Sequence, residues 1–508
     1  MTVLENIAQA TRTAPHRVSV LHEGSRYTYA ELSSFIERLG AGLRQCGIRR
    51  RERIALLLPN CPEYVGCYLG VTSIGAIAVS LNPALNSEEI AFILDDTNAS
   101  AVITNPEGAR KISSPMRQRL EVIVCGGGDE QGYSLQRWLE NDASMAPLAL
   151  PQESEETAIL YTSGTSGFPK GVTLSHGNVS FVTETIARCC NTTAEDRLLL
   201  AVPASHCYGQ NLVMNHALRA AATLVLVQGF DPERVASAVE REQVTMFFGV
   251  PTMYALLLKS RIAPHRMRSL RYCHSGAAPL DEQVAREWQS RYGVPIHQGY
   301  GLTECSPLTC YNFFPDRWPA SVGRPLAGVQ LRIVDDAGAK AGLGEIGEIL
   351  VHGPNVMMGY WDSAIQSPAP LANGWLRTGD CGLYDEFGNL YIVDRCKDMI
   401  NVSGLKVYPA EVEKVLKQHP AIQEACVFGV RDELLGETVR AQVVLKEQSA
   451  VATKDLSAFC HARIASYKVP VVIDFAKSIP VSRAGKVLRR MLRQEAEMRG
   501  ASHEQLIA

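Results

Sequence analysis

Hydrophobic positions in the first 400 residues alternate between helical and strand-like spacing. Residues 29–45 carry apolar side chains at the spacing of an amphipathic helix, and the apolar run 54–58 follows them. Further runs that indicate buried strands are 76–79, 101–104, 158–162 and 223–227. Because short β-rich runs are separated by helical segments, the pattern predicts an α/β fold with largely parallel sheets.

The pattern changes twice towards the C-terminus. Between 325 and 395 the chain has short strands punctuated by glycine, at 331–334, 348–352 and 390–393, which indicates a more antiparallel, barrel-like subdomain. Beyond Lys397 a helix at 409–417 and strands at 424–430 and 440–445 indicate a small α+β unit. We therefore predict a large N-terminal domain of residues 1–396 and a small C-terminal domain of residues 397–508.

The length of the chain is consistent with two domains, and its composition and charge limit the classes of protein to which it can belong. A chain of 508 residues is too long for a single core, and 46% hydrophobic with 20% charged residues is typical of a globular protein. A net charge of −3 gives no general attraction to nucleic acid. No apolar run is long enough to span a bilayer, and the first 17 residues contain Glu5 and no signal-peptide core. The expected location is the cytoplasm.

The 14 cysteines are scattered, and no CxxC pair occurs. Cys189 and Cys190 are adjacent and cannot readily bridge each other. We expect reduced, mostly buried thiols and no zinc site.

One loop determines the class of chemistry. After the apolar residues 158–160, residues 161–172 read Tyr-Thr-Ser-Gly-Thr-Ser-Gly-Phe-Pro-Lys-Gly-Val. Backbone N–H groups of such a Ser/Gly loop can approach phosphate oxygens closely, and Lys170 adds a positive charge. The spacing is not that of a Walker A loop, which argues against a kinase or motor ATPase. A surface turn of the same composition is the alternative.

These twelve residues resemble the phosphate loop of the adenylate-forming superfamily, which contains acyl- and aryl-CoA synthetases, luciferases and peptide-synthetase adenylation domains. The resemblance extends from about Tyr27 to Leu492. Ser166 departs from the usual threonine but keeps the hydroxyl. The resemblance implies that the nucleotide is contacted by Thr162, Ser163, Gly164, Thr165, Ser166, Gly167 and Lys170.

Two further segments resemble nucleotide motifs of the family. Residues 275–280 read Ser-Gly-Ala-Ala-Pro-Leu, and the resemblance implies that Gly276, Ala277 and Ala278 line the adenine. Residues 298–304 read Gln-Gly-Tyr-Gly-Leu-Thr-Glu. There it implies adenine stacking by Tyr300, a close backbone at Gly301, an α-phosphate contact by Thr303 and Mg²⁺ binding by Glu304. Taken alone, Tyr300 would be better explained by core packing and Glu304 by a surface carboxylate.

The C-terminal third carries the remaining motifs. Residues 374–380 resemble the ribose motif, which implies that Asp380 and Arg395 hold the sugar, although a structural ion pair is the alternative. Residues 479–487 resemble the loop that bears the adenylation lysine, here Lys486. The resemblance also makes Lys397 the hinge between the domains and places Gly404 in the thiol tunnel, although a simple turn would also suit a glycine.

The resemblance implies an ATP-dependent carboxylic acid ligase. An acyl-adenylate and pyrophosphate form first, and the acyl group then passes to a thiol. Catalysis would rest on charge stabilisation by Mg²⁺ and on Thr165, Lys170, Glu304 and Lys486. The 298–304 motif favours coenzyme A as the thiol. Loading of a carrier-protein phosphopantetheine and a non-enzymatic binding role stay open, as does the choice between monomer and homodimer.

The acid pocket is expected from three segments, 203–211, 247–253 and 275–277. The predicted lining residues are His206, Tyr208, Gly209, Gln210, Phe248, Gly249, Ser275 and Gly276. His206 resembles a histidine that guards the acyl pocket, with a structural role as the alternative. Gln210 and Asn211 could bind a hydroxyl or keto group, or structural partners. Asp231 falls beyond the pocket segment, so no carboxylate is placed to pair with an α-amino group, and an α-amino acid is not expected.

Overall fold

The computed structural model describes residues 2–125, 133–140, 150–162, 169–361, 371–403, 405–432, 434–481 and 487–504. The chain divides into two compact units. The first contains Met1–Leu331 and Val351–Arg377, and the second contains Arg332–Leu350 and Thr378–Ala508. In the described part of the chain no helix is both long and apolar enough to cross a membrane.

The first unit holds a sheet of nine described strands. Their order across the sheet is Arg324–Pro325, Cys310–Tyr311, Ile296–Tyr300, Tyr272–Ser275, Met246–Gly249, Arg197–Leu200, Thr223–Leu226, Val18–His22 and Ser25–Thr28. The six strands from Ile296–Tyr300 to Val18–His22 are parallel, and the outer pairs are antiparallel. The carboxyl ends of the parallel strands therefore meet at one edge, which is where open α/β sheets bind ligands.

A second sheet of eight described strands lies in the same unit. The order is Gly359–Tyr360, Lys170–Ser175, Glu156–Thr162, Ile77–Ser80, Arg53–Leu57, Ala101–Thr104, Glu121–Val124 and Tyr133–Ser134. Its central strands are parallel and carry Val and Ile on both faces, as strands covered by helices on each side do. A buried aliphatic cluster that includes Val79, Ile90 and Val102 packs against it.

Helices of the first unit cover these sheets. They are Val3–Thr13, Tyr29–Gln45, Pro62–Ser73, Ser87–Asp96, Pro106–Arg110, Ser114–Arg117, Leu135–Glu140, His176–Cys189, His216–Arg219, Pro232–Glu242, Pro251–Lys259 and Glu282–Tyr292, with the π-helix Tyr208–Asn215 and the 3₁₀ turns Pro264–Met267 and Thr303–Cys305. Local sequence fixes their starts. Thr28 and Glu31 form a reciprocal capping box, and Pro62 and Pro251 occupy first turns, where a missing N–H costs nothing.

Two smaller sheets follow. The first runs in the order Gln330–Val334, Gly347–His352, Trp375–Tyr384 and Leu371–Ala372, with Leu390–Arg395 also paired to Trp375–Tyr384, and the division between the units falls within three of these strands. The second runs in the order Leu405–Val407, Ile400–Val402, Gly436–Leu445 and Ile422–Asp432, with Val472–Phe475 added to Gly436–Leu445. Helices Pro409–Lys417, Thr453–His461 and Arg489–Glu504 and the 3₁₀ turns Cys396–Asp398 and Ser466–Lys468 complete the unit.

The predicted α/β class is confirmed, as are the antiparallel pairing before residue 395 and the helix at 409–417. The expectation that all cysteines are reduced is wrong. Cys381 and Cys396 form a disulfide, while the other 12 cysteines are thiols, most of them buried. The division at residue 397 concerns a domain expected to rotate, and it stays a prediction.

Candidate active site

The predicted phosphate loop connects two paired strands. Glu156–Thr162 and Lys170–Ser175 are antiparallel, and Thr162 lies directly opposite Lys170 at the mouth of the loop. Residues 163–168 lie outside the described residues, and with them Ser163, Gly164, Thr165, Ser166 and Gly167. A cation therefore follows the loop at a defined point on a rigid strand.

Tyr360 lies between Lys170 and Glu304. The Lys170 ammonium lies 5.2 Å from the centre of the Tyr360 ring, within cation–π range. The Tyr360 hydroxyl donates a 2.9 Å hydrogen bond to Glu304 Oε1. Strand Gly359–Tyr360 pairs with Lys170–Ser175, which fixes the tyrosine beside the lysine. Tyr360 was not predicted from the sequence, although Gly-Tyr-Trp at 359–361 is a visible signal.

The 298–304 signature runs from the strand Ile296–Tyr300 into a 3₁₀ turn. Tyr300 and Thr303 are buried, and Glu304 is half-buried. A Cβ at Gly301 would lie 1.8 Å from the Pro307 carbonyl oxygen, so only glycine fits there. The half-buried carboxylate of Glu304, with Oε1 held by Tyr360, suits a hard cation such as Mg²⁺, which is usually bound by one or two protein carboxylates together with phosphates.

The predicted adenine segment forms a strained turn at the carboxyl end of strand Tyr272–Ser275. Ala277 has a φ of +68°, which is unusual for a residue with a Cβ. Ala277 and Ala278 are exposed, whereas Ser275 and Gly276 are buried. The turn therefore presents small side chains and backbone at the sheet edge, as a planar base requires.

The predicted acid segment begins the π-helix Tyr208–Asn215, all of whose residues are buried. π-Helical turns are rare and occur often at functional sites. A Cβ at Gly209 would lie 2.3 Å from the Pro203 carbonyl oxygen, so glycine allows the entry to this helix. His206 is exposed, and its Nδ1 accepts a hydrogen bond from the Tyr208 backbone N–H at 3.2 Å.

His274 was not predicted from the sequence, and its ring stacks on that of Tyr208 at 5.8 Å. Its Nδ1 is 2.7 Å from the Tyr208 hydroxyl, and its ring centre lies 5.5 Å from that of Phe248, with the two rings tilted by 34°. Burial lowers the pKa of His274 to about 3, helped by His297 and His216, so the ring is neutral. Nε2 is buried and has no hydrogen-bond partner among the described residues. The residue was overlooked because the family motif begins one position later, at Ser275.

Gln210 and Asn211 have structural partners. Gln210 Nε2 donates to the Tyr64 hydroxyl at 3.1 Å and to Ser80 Oγ at 2.9 Å. Asn211 Nδ2 donates to the Ser306 carbonyl at 3.1 Å. Both amides therefore tie the π-helix to its surroundings. Their role towards the substrate stays a prediction.

Asp231 has a local role. Its carboxylate accepts a 2.9 Å hydrogen bond from the Arg234 backbone N–H and thereby caps the helix Pro232–Glu242. That contact accounts for the residue without a substrate.

In the second unit, Asp380 and Arg395 form an ion pair. They face each other at the end of an antiparallel ladder, with Arg395 Nη1 2.7 Å from Asp380 Oδ1. The carboxylate is largely buried and the guanidinium is more exposed. The pair combines an acceptor with a donor, the two groups that sugar hydroxyls require.

The hinge candidate Lys397 is exposed and lies in the 3₁₀ turn Cys396–Asp398. Arg489, also missed from sequence, fastens this turn: its guanidinium lies 3.6 Å from Asp398 and donates a 2.8 Å hydrogen bond to Glu413. Burial opposes the charge on Arg489, but the surrounding groups, Glu413 and then Asp394 foremost, together outweigh that effect and raise its pKa. Arg489 therefore ties the hinge turn to the helix Pro409–Lys417.

The predicted adenylation loop is closed at its base. Val481 and Val487 form an antiparallel bridge, and the Leu488 N–H donates to the Pro480 carbonyl at 2.9 Å. Residues 482–486, including Lys486, lie outside the described residues, as does Gly404.

Comparison with known proteins gives matches along almost the whole chain. Residues 7–361 match the AMP-binding enzyme family, and residues 411–486 match the AMP-binding enzyme C-terminal domain. The chain is 34% identical over 516 residues to a long-chain-fatty-acid–CoA ligase of Bacillus subtilis (strain 168), covering 95% of this chain and 92% of the relative. It is 36% identical over 487 residues to a feruloyl-CoA synthase of an Amycolatopsis species, covering 95% and 96%. Its fold is similar to o-succinylbenzoate CoA synthetase from Bacillus subtilis in complex with the acyl-adenylate intermediate, with a TM-score of 0.85, 30% identity and coverage of 97% and 98%.

Proposed function

Because this chain belongs to the AMP-binding enzyme family and is an AMP-forming acid–thiol ligase that uses ATP and coenzyme A, we propose that its acid substrate carries a hydrogen-bonding group in addition to its carboxylate. The relatives are named for acids of different kinds, so resemblance alone does not identify the acid. The proposal rests on the unpaired Nε2 of buried His274.

An unpaired polar atom in a protein interior costs about 1–3 kcal/mol. Nε2 of a neutral imidazole is a donor or an acceptor, whichever tautomer the Tyr208 hydrogen bond selects. In either tautomer a hydroxyl on the substrate can pair with it, because a hydroxyl both donates and accepts. An all-apolar acyl chain would leave the nitrogen unpaired. Tyr208 and Phe248 beside the imidazole add aromatic surface for the rest of the acid.

The test is ATP–pyrophosphate exchange with matched acids, 3-phenylpropanoate against 3-(4-hydroxyphenyl)propanoate and a medium-chain fatty acid against its ω-hydroxy form. The wild type should prefer the hydroxylated member of at least one pair by about tenfold or more in kcat/KM. His274→Phe should lose that preference while still exchanging with the unsubstituted acid.

His297→Phe is the matched control, because His297 lies on the neighbouring strand, opposite His274 in register, and its Nδ1 is already bonded to the Asn312 carbonyl. It should keep the preference. Wild-type preference for both unsubstituted acids, or an unchanged preference in His274→Phe, would contradict the proposed acid class. Absence of exchange with every acid would instead contradict ligase activity.

Within the first half-reaction the residues have separate proposed roles. In the first unit, Lys170 and the loop that precedes it bind phosphate oxygens, and Glu304 holds Mg²⁺ with its carboxylate oriented by Tyr360. Mg²⁺, when bound, neutralises phosphate charge. In the second unit, Asp380 and Arg395 bind the ribose hydroxyls, and Lys486 stabilises charge between the carboxylate and the α-phosphate. The contacts Lys170–Tyr360–Glu304 and Asp380–Arg395 support these roles.

For the second half-reaction, Lys397 is the proposed hinge and Gly404 part of the proposed passage for the pantetheine arm. Exposure of Lys397 and its position in a short turn just after a strand support the hinge. Coenzyme A is the proposed physiological acceptor, with a carrier-protein phosphopantetheine as the alternative. Incubation with both acceptors separates the two, because one yields free acyl-CoA and the other an acylated carrier protein.

A further inference from the structure

A disulfide joins the two residues that directly follow the members of the Asp380–Arg395 ion pair. Cys381 directly follows Asp380 in strand Trp375–Tyr384. Cys396 lies between Arg395 and Lys397 and begins the turn Cys396–Asp398. The two Cα atoms are 5.4 Å apart. Asp380 and Arg395 are the last residues paired in this ladder. The disulfide therefore attaches one further residue to the strand Trp375–Tyr384, namely Cys396, which directly precedes Lys397.

We propose that Cys381 and Cys396 form a reversible redox modification site that controls how freely the chain turns at Lys397. The proposal takes the hinge from the proposed function and adds its control. With the bond intact, residue 396 is attached covalently to the strand Trp375–Tyr384. The backbone before Lys397 is then fixed, and only the residues that follow it can rotate. With the bond reduced, the turn that begins at residue 396 is held by noncovalent contacts alone. These are its own 3₁₀ hydrogen bonds, whose geometry is poor, and the contact of Arg489 with Asp398.

The chemistry requires a dithiol reductant and a disulfide oxidant, as in any thiol–disulfide exchange. The Cys396 sulfur belongs to a half-buried residue, whereas Cys381 is only 7% exposed. A reductant thiolate attacks Cys396 Sγ, the S–S bond breaks, and Cys381 leaves as a thiolate that takes up a proton. The second reductant thiol then displaces Cys396 as a thiol and closes the reductant's own disulfide. Oxidised glutathione drives the reverse reaction and releases two molecules of reduced glutathione.

A second pair of neighbouring cysteines, Cys67 and Cys125, is expected to be unreactive in thiol–disulfide exchange. Cys67 and Cys125 are both buried and interact with each other, and burial raises the pKa of Cys67 well above its usual value. A buried thiol with a raised pKa is a poor nucleophile. Cys67 is therefore a suitable control position, because it belongs to a pair of thiols that neighbour each other but are far in sequence from the hinge.

The experiment compares enzyme equilibrated with oxidised glutathione and enzyme equilibrated with dithiothreitol, after alkylation and peptide mass spectrometry have assigned the bridge. Two rates are measured: ATP–pyrophosphate exchange, and single-turnover transfer of the bound acyl group to coenzyme A. Exchange should agree within about twofold between the two forms, and transfer should be about threefold or more faster in the reduced form. Cys381→Ser and Cys396→Ser should transfer the acyl group as fast as the reduced wild-type enzyme after either treatment. Cys67→Ser should respond to the two treatments as the wild type does.

Hydrogen–deuterium exchange at residues 395–399 supplies a measurement that needs no activity. These amides should exchange faster in the reduced protein and in Cys381→Ser. Equal amide exchange in both redox forms would overturn the proposal even in a preparation without ligase activity. Equal transfer rates would overturn it too, as would alkylation of both cysteines in the glutathione-oxidised protein. Failure of pyrophosphate exchange in both forms, with the amide difference present, would leave the redox site standing and contradict the ligase function.

Discussion

The Tyr360 hydroxyl donates a 2.9 Å hydrogen bond to Glu304 Oε1 across 56 residues of sequence. The same ring lies beside the Lys170 ammonium. One tyrosine thus contacts both the proposed phosphate-binding cation and the proposed Mg²⁺ ligand.

Tyr360→Phe should therefore lower the rate of acyl-adenylate formation. A hydrogen bond to a charged group contributes about 1.5–3 kcal/mol, which corresponds to a loss of about ten- to a hundredfold. The Mg²⁺ concentration for half-maximal pyrophosphate exchange should rise as well. Tyr292→Phe, which removes a hydroxyl bonded to the Ile262 carbonyl, is the control. Exchange by Tyr360→Phe within about twofold of the wild type would refute the role.

Lys486→Ala should separate the two half-reactions. Adenylation should fall by about a thousandfold, because a positive charge that balances carboxylate and α-phosphate is lost. Thioester formation from added acyl-adenylate should continue. Lys477→Ala, which removes an exposed lysine outside the loop, should leave both steps unchanged. If both lysine variants behaved alike, Lys486 would not be the adenylation residue.

Asp380→Ala should act through the ribose. The wild type should use 2′,3′-dideoxy-ATP much less well than ATP, because Asp380 and Arg395 would lose their hydroxyl partners. The variant should discriminate less between the two nucleotides in pyrophosphate exchange. The opposite result, equal discrimination in both proteins, would mean that the ion pair is structural only.

Buried histidines should make the protein lose stability in mild acid. Burial lowers the pKa of His176 to about 4, although Glu155 raises it in part. In the unfolded chain the imidazole takes up its proton at the ordinary pKa of 6.5. The contribution of neutral His176 to the free energy of unfolding is therefore complete above pH 6.5 and is lost as the pH falls towards 4. Near pH 5 the slope is about 1.4 kcal/mol per pH unit for one imidazole.

His176→Leu should reduce the fall in thermal midpoint between pH 7 and pH 5. The substitution leaves no partner behind, because neither ring nitrogen has a hydrogen-bond partner in the described part of the chain. The exposed His265→Leu is the comparison and should retain the wild-type dependence. Identical pH dependence in all three proteins would contradict the assignment.

The elements that sequence predicted are those whose signals are local. The strand Ala101–Thr104 is a short apolar run between polar residues, and Pro409 marks the first turn of Pro409–Lys417. The strands Val18–His22 and Ser25–Thr28 were missed, because each is short and only three of their nine residues are buried. Elsewhere boundaries moved by one or two residues, as at Gly347–His352, and by four at the start of Gly436–Leu445.

Site residues were predictable where a motif carried them and were missed where distant segments had to meet. Tyr360 depends on Glu304, and Arg489 depends on Asp398 and Glu413. The Cys381–Cys396 bridge depends on the register of two strands, because that register pairs Cys381 with Asp394, two residues before Cys396. Burial of His274 likewise follows from packing against Tyr208 and Phe248 rather than from its neighbours in sequence.

The π-helix Tyr208–Asn215 also has a consequence for the evolution of acid specificity. A π-helical turn accommodates more residues than an α-helical one, so the segment is equivalent to an α-helix that has gained an insertion. Deleting one residue between Tyr208 and Asn211 would favour ordinary winding and rotate the side chains on one side of the deletion by about 100° relative to the other. Asn211 would keep its bond to the Ser306 carbonyl only if Tyr208 turned away from His274. Lineages that exchange acids by point substitution should therefore keep the length of this segment constant, and a deletion there should change substrate and stability together.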